Sequence, residues 1–424
     1  MMKVLHVSDI HLGSGLSHGR TNPETGLNTR LEDFIQSLRT CIDRALSEPV
    51  DLVLFGGDAF PDATPAPYIQ QAFAKEFRRL VEAQIPTLLL VGNHDQHSQG
   101  KGGASLSIYR TLGVPGFIVG DQIETHCITT AHGKVQVITL PWLTHSALLT
   151  RPETEGLSQE EVNQLLLNKL QPILEAEIRR LDPNLPTVLL GHLMADRAEL
   201  GAERFLAVGK GFTIPMSFLT RSEFDYVALG HVHRHQNLNP QGQPPVVYPG
   251  SIERVDFSEE KEEKGYVLIH LEKENPKWEF CPLPVRPFLT IEADASKQED
   301  PQQAILDAIA RKKVPNAVVR LIYKLRSEQL EAINTRSLQK ALSFAHSYTI
   351  YPELVSQLAR PRVPEFGEQV TLDPREALKT YLDNRDDLQD ISEEMLEAAE
   401  QLLTGEIEQP PDLGKSKDQL NLLQ

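Results

Sequence analysis

The 424-residue chain is poor in cysteine, with three in all. Cys41, Cys127 and Cys281 are scattered and none belongs to a C-x-x-C pair. The pattern excludes a disulfide framework, offers no thiolate metal centre and fits a reducing, cytoplasmic setting. Long apolar runs are also missing. No stretch approaches the roughly 20 residues of a membrane-spanning helix, so no membrane partner is expected. Strand-like sequence begins by Lys3 and leaves no room for a signal peptide. Positive charge is in deficit: 42 Lys and Arg face 59 Asp and Glu, for a net charge of −17. This argues against a surface that binds nucleic acid indiscriminately. The deficit is uneven, because residues 365–424 carry 16 acidic and 5 basic side chains, a net −11, which leaves −6 on residues 1–364.

The chain does contain, five times over, an apolar strand followed at once by side chains of metal-ligating type. The central case is Leu88–Asp95, Leu-Leu-Leu-Val-Gly-Asn-His-Asp. Its apolar run reads as a buried strand, a glycine ends it, and Asn93, His94 and Asp95 follow. Val4–Gly13 supplies Asp9 and His11 in the same way. Leu52–Asp58 supplies Asp58, Thr187–Leu193 supplies His192, and Tyr226–His233 supplies His231 and His233. One such block is ordinary turn chemistry. Five of them deliver oxygen and imidazole donors to strand ends, where the cleft of a layered sheet lies. Such donors suit Mn²⁺, Fe²⁺ or Zn²⁺.

Around these blocks, residues 1–285 read as alternating strand and helix, an α/β layered domain. Leu31–Leu46 and Ile69–Ala83 carry apolar stripes. Ser158 with Glu161 forms a capping box for a helix running toward Leu181. After His233 the pattern is β only, with strands over Pro245–Gly250, Gly265–Glu272 and Lys277–Pro282. The long loop Ser14–Asn28 holds His18 and Arg20, candidates for contact with substrate phosphates. Residues 286–352 read as a small α/β capping domain. It has strands at Phe288–Ala293 and Ala317–Leu325, a helix capped by Asp300 with Pro301 first, and a helix over Leu330–Ala345. A Pro-rich linker over 353–372 precedes two acidic helices within 373–404, and 405–424 is expected to be disordered. The second acidic helix carries Met395, Leu396, Ala399, Leu402 and Leu403 on one stripe.

The order D-x-H, G-D, G-N-H-D, G-H, G-H-x-H between Val4 and His233 resembles the calcineurin-like metallophosphoesterase superfamily. The resemblance implies a β-sandwich flanked by helices and two divalent metal ions, Mn²⁺ first among them. It implies Asp9, His11 and His233 as ligands of one ion, Asn93, His192 and His231 as ligands of the other, and Asp58 as the bridge. His94 would stabilise the transition state and protonate the leaving oxygen, with Asp95 orienting it. Two further stretches resemble the SbcD branch, the nuclease subunits of DNA-repair complexes. They are His11–Gly13 with Leu27–Leu31, and Tyr248–Phe257, which runs through a Glu-rich segment into Lys264-Gly265-Tyr266.

That branch implies a Mn²⁺-dependent DNA nuclease with 3′→5′ double-strand exonuclease and single-strand or hairpin endonuclease activity. It also implies an SbcC-type ATPase partner docked on the C-terminal helices, two nuclease subunits in a heterotetramer, and a role in repair, recombination and replication. Ser251 and Arg254 are candidates to face a phosphate. Pro61 departs from the branch, since archaeal and eukaryotic relatives usually carry a His there. The alternative within the superfamily is a small-molecule phosphodiesterase or nucleotidase. A non-enzymatic scaffold would require a broken block, and none is broken.

Overall fold

Two six-stranded sheets stack face to face in the computed structural model, which describes residues 1–97, 104–144, 154–199, 213–355, 374–383, 388 and 391–404. The first sheet runs in the order β14 (Lys277–Pro282), β13 (Gly265–Leu271), β1 (Met2–Val7), β2 (Leu52–Phe55), β3 (Thr87–Leu90), β4 (Phe117–Gly120). The second runs β11 (Gln236–Asn237), β12 (Val246–Tyr248), β10 (Tyr226–Gly230), β7 (Thr187–His192), β6 (Gly133–Leu140), β5 (Glu124–Thr130). In each sheet four parallel strands form the body and the remaining strands are antiparallel. A short parallel pair, β8 (Met194–Ala195) and β9 (Thr213–Ile214), stands outside the sandwich.

The central strands β2, β10 and β12 are unbroken apolar runs because both of their faces are buried. In β2, Leu52 and Leu54 point into the layer between the sheets, alongside Val188, Leu190 and Ala228. Val53 and Phe55 point the other way, onto the stripes of α1 (Thr29–Ser47) and α2 (Pro67–Glu82). The outer face of the second sheet is covered by the helix Gln159–Ile178, which starts with the expected Ser158–Glu161 capping box. The parallel strands of both sheets carry their carboxyl ends, and hence the five sequence blocks, to one edge of the sandwich.

The loop before α1 is held at several points. Asn28 caps α1 and donates to the Leu16 carbonyl at 3.0 Å, and Glu32 accepts from Asn22 and Thr25. Residues 288–354 build a separate three-stranded sheet, β15 (Phe288–Asp294), β16 (Val318–Leu325) and β17 (Ser347–Leu354), with its own apolar cluster. The helix Pro301–Ala310 is capped by Asp300, while the helix expected over 330–345 is a 3-10 turn, Ser327–Ala332, followed by Thr335–Ala341. Asn334 caps the second piece and so divides them. This unit is fastened to α1 by a fork of Arg286 on Asp33, at 2.7 and 2.6 Å. Described separately, Pro374–Asp383 and Ser392–Thr404 are helices that pack on each other. Of the linker expected over 353–372, Glu353 and Leu354 end β17, while residues 356–372, like 373 and 405–424, lie outside the described residues.

The sheets come closest at two glycines, and Gly230 has no room for a side chain. A Cβ there would stand 2.1 Å from the Ser8 hydroxyl and 2.2 Å from the Gly56 carbonyl oxygen. Gly230→Ala should therefore destabilise the fold by about 3 kcal/mol, the upper end of overpacking costs. The expected readout is a melting temperature several degrees lower, and an unchanged melting curve would refute the tight junction.

Candidate metal centre and active site

Each block places its side chains by leaving its strand sharply. Asp9 (φ 51°), His11 (φ 45°), Asp58 (φ 58°) and His231 (φ 101°) all adopt left-handed backbone. Non-glycine residues rarely take this region, and they cluster there where a surrounding structure over-determines them. The bonds that hold them are present. Asp9 N donates to Gly57 O at 3.0 Å and His11 N to Asp58 O at 3.0 Å. The His231 amide donates to both carboxylate oxygens of Asp9, at 3.0 and 3.1 Å.

The turns bring two buried donor groups together: Asp9, His11 and His233, and Asp58, His192 and His231. Within each, the potential ligand atoms lie within 4.8 Å of one another, and either group could hold a metal ion. Asn93 joins the second group, its Oδ1 standing 2.9 Å from His192 Nε2 and 2.9 Å from His231 Nδ1. Asp58 stands between the groups, with Oδ2 at 3.3 Å from His192 Nε2 and 3.6 Å from His11 Nε2. All seven expected ligand positions thus converge.

The outer atoms of the rings fix which nitrogen faces inward. His192 Nδ1–H donates to the Gly56 carbonyl at 2.7 Å, and His233 Nδ1–H donates to the Glu259 carboxylate at 2.7 Å. Each then offers Nε2 to the centre, as a ligating imidazole requires. His233 Nε2 is 2.9 Å from His11 Nε2, a gap that suits a proton or a cation. Burial pushes the imidazolium forms of His11 and His231 down, His231 to about 3, aided by neighbouring imidazoles. Burial alone would raise Asp58, yet His192 and His11 hold it well below the usual carboxylate range. Burial opposes protonation of His192 too, but Asp58 draws its pKa up to about 9. The centre is therefore built to hold positive charge beside Asp58, and its oxygen and imidazole donors fit divalent Mn, Fe or Zn.

His94 is half-buried, its ring set edge-on to His11 at 5.1 Å between centroids. Its Nδ1–H donates to the Pro61 carbonyl at 2.8 Å. The expected orientation of His94 by Asp95 is corrected by the structure. Asp95 is fully buried and its carboxylate accepts from the amides of Asp58 (2.8 Å), Ala59 (3.0 Å) and Gly92 (3.0 Å). It ties the Asp58 turn to the Gly92 turn, and Pro61 orients His94. Burial and the charge of Asp58 raise Asp95 to about 7, against the pull of those amides.

Of the four expected phosphate contacts, Ser251 and Arg254 are corrected, because both are engaged inside the protein. Ser251 is fully buried and its hydroxyl donates to the Glu253 carbonyl at 2.9 Å. Arg254 directs Nε and both terminal nitrogens at the carbonyls of Glu259, Arg286 and Glu262, so it straps the loop from within. His18 packs edge-on against Phe257 and Phe288. Arg20 is exposed, and its amide donates to Thr29 Oγ1 at 3.1 Å.

Three residues of the site went unread in the sequence. Trp142 lies tilted over His231, ring centroids 4.7 Å apart, just past the end of β6. Its strand-end position was a usable signal, although the residue is no metal donor. Glu259 and Lys264, both with fully buried side chains, stand behind His233. They belong to a charged run whose spacing does not tell the buried members from the solvated ones.

A family model for calcineurin-like phosphoesterases matches residues 2–235. The chain is similar to a curated protein of Staphylococcus epidermidis, the SbcD subunit of the nuclease SbcCD, at 27% identity over 297 residues, 69% of this chain and 73% of that one. It is similar also to the corresponding SbcCD nuclease subunit of Staphylococcus saprophyticus, at 25% identity over 310 residues, 72% and 75% of the two chains. A solved dimetal phosphatase from Danio rerio aligns with 64% of this chain and 92% of its own, at 12% identity and a TM-score of 0.36, too low to bear on the site.

Two substitutions separate the roles of these groups. Asp58→Ala removes the carboxylate between the donor groups and should abolish stoichiometric Mn²⁺ uptake in calorimetric titration. His94→Ala should leave uptake intact, because the His94 ring belongs to neither group. Asp95→Asn replaces one accepting oxygen by an amide donor against a backbone N–H. It should destabilise the fold by about 2 kcal/mol, read in denaturant unfolding of the metal-free chain.

Proposed function

The chain belongs to the calcineurin-like phosphoesterase family, whose members are metal-dependent phosphoester hydrolases, and we propose that it is a Mn²⁺-dependent DNA nuclease subunit acting with an SbcC-type ATPase. The observation that carries the reading is the pair of donor groups sharing Asp58. In it Asp9, His11 and His233 would hold one cation, Asn93, His192 and His231 would hold the other, and Asp58 would serve both. Two divalent cations so held supply Lewis acidity toward a phosphodiester and lower the pKa of an attacking water.

The protein's own groups do the rest. His94, half-buried and fixed through Pro61, gives a proton to the departing sugar oxygen and neutralises charge that develops at phosphorus. Asp95 keeps the Asp58 and Gly92 turns in register. Trp142 shields His231 from water. The similarity to the SbcD subunits of SbcCD nucleases supports DNA over a small phosphoester, and with it 3′→5′ exonuclease and single-strand or hairpin endonuclease activity. The 288–354 unit serves as the capping, DNA-contacting domain. The helices Pro374–Asp383 and Ser392–Thr404, acidic and short for independent stability, dock the ATPase as a helix-in-groove pair. Two nuclease subunits complete a cytoplasmic heterotetramer. No helix among the described residues is long and apolar enough to cross a membrane.

Purified full-length protein with Mn²⁺ should degrade labelled duplex DNA, and chelation should stop it. His94→Ala should slow cleavage about 10²–10⁴-fold, the range of general acid catalysis. Preference for a cyclic nucleotide over DNA would overturn the nuclease reading. A chain truncated after Gly367 should lose co-purification with the ATPase and keep metal binding, and full-stoichiometry recovery of the complex would sink the docking role.

A further inference from the structure

The turn Phe257–Glu260 touches both the metal centre and the 288–354 unit, and its geometry makes it one rigid piece. Phe257–Glu259 is a 3-10 helix continued by Glu260. At three residues per turn, positions 257 and 260 lie on one side and 259 on another. The two sides meet different partners.

Toward the metal centre, Glu259 Oε1 accepts His233 Nδ1–H at 2.7 Å. Its Oε2 is pinned by Lys264 Nζ at 2.9 Å and by the Val255 amide at 2.9 Å. Lys264 Nζ also donates to the His233 carbonyl at 3.1 Å and to Glu262 at 2.7 Å, so one buried ammonium holds the carboxylate and the backbone of the residue it orients. Toward the 288–354 unit, the Arg320 guanidinium lies over the Phe257 ring at 4.4 Å, and Phe288 packs against that ring at 4.9 Å. Arg320 donates to Thr290 Oγ1 at 3.1 Å, and the Thr290 amide donates to Glu260 at 3.0 Å. Both Phe257 and Glu260 are thus gripped by β15 and β16.

We infer that Glu259 is a positioning residue for His233 and that the turn 257–260 couples the placement of the 288–354 unit to the Asp9–His11–His233 half of the metal centre. A displacement of β15 and β16 rotates the turn, moves the Glu259 carboxylate and with it the His233 ring. By reciprocity, a cation held by His233 favours the seated position of the unit. A phosphodiester strand lying against the unit would then be sensed at one metal site and not at the other. The inference rests on the reading of Asp9, His11 and His233 as metal ligands.

The test is a Mn²⁺ titration of the full chain by calorimetry, with bound and free ion counted by electron paramagnetic resonance. Wild type should show two sites. Glu259→Gln should weaken one site about 10–100-fold, as loss of an outer partner of a metal histidine does, and leave the other within about twofold. Arg320→Ala and Phe257→Leu lie at the far end of the turn and should weaken the same site about fivefold, the low end of coupling between sites. The far-end variants also decide the matter if Glu259→Gln fails to fold. Wild-type affinities at both sites in Arg320→Ala and Phe257→Leu, or equal weakening of both sites, would overturn the coupling. A wild type that binds no Mn²⁺, or a His233→Ala that still binds two ions normally, would instead overturn the metal-site reading beneath it.

Discussion

The site depends on one close approach of backbone to backbone. Candidate ligands from the first sheet (Asp9, His11, Asp58, Asn93) and from the second (His192, His231, His233) converge only if the two sheets meet at their carboxyl edges. The Gly56 carbonyl lies at that junction. It sits where a side chain on Gly230 would be, and it accepts the Nδ1–H of His192 at 2.7 Å. One carbonyl therefore sets both the separation of the sheets and the inward face of a candidate ligand. The apolar layer between the sheets and the helices outside them supply the burial that holds this junction closed.

What converges is unfavourable by itself. Four left-handed residues cost of order 1–3 kcal/mol each, and carboxylates are taken out of water beside one another. The structure offsets this in two ways. Asp95 gathers three amides from two turns, so the strained loops brace each other. Imidazoles surround Asp58, and His192 is drawn toward protonation. A cation held there would take over this neutralisation of Asp58, and its binding would favour the unprotonated donors. Such binding would stabilise the fold by mass action.

The fold and the convergence of the candidate ligands were legible because both follow from short-range rules. Apolar runs, most of them ended by glycine, announce buried strands, and the candidate ligands sit within four residues of the strand ends. Ser158–Glu161 and Asp300–Pro301 marked their helices by capping chemistry. What was not legible depends on distant pairing. The spacing of Asp95 to His94 suggested an orienting pair, yet the carboxylate is used by amides 36 and 37 residues away in sequence. Arg254 looked like a phosphate contact because nothing local shows that three carbonyls claim its guanidinium. Glu259 and Lys264 are the two ends of an unbroken charged run, and only the packing of β13 and the 288–354 unit shows which face is buried.

The charge distribution fits a centre that attracts a phosphodiester locally. Most of the net −17 lies in residues 365–424, and the rest of the chain carries only −6. Several of its arginines are engaged internally: Arg30 and Arg286 on Asp33, Arg254 on backbone carbonyls, Arg320 over Phe257. These cations build the protein. They are poorly placed to form a continuous basic coat. At the candidate metal centre, two divalent ions would reverse the local sign and attract a polyanion there. A locally reversed charge on an otherwise acidic chain would suit the proposed enzyme, which relies on a partner to hold its substrate.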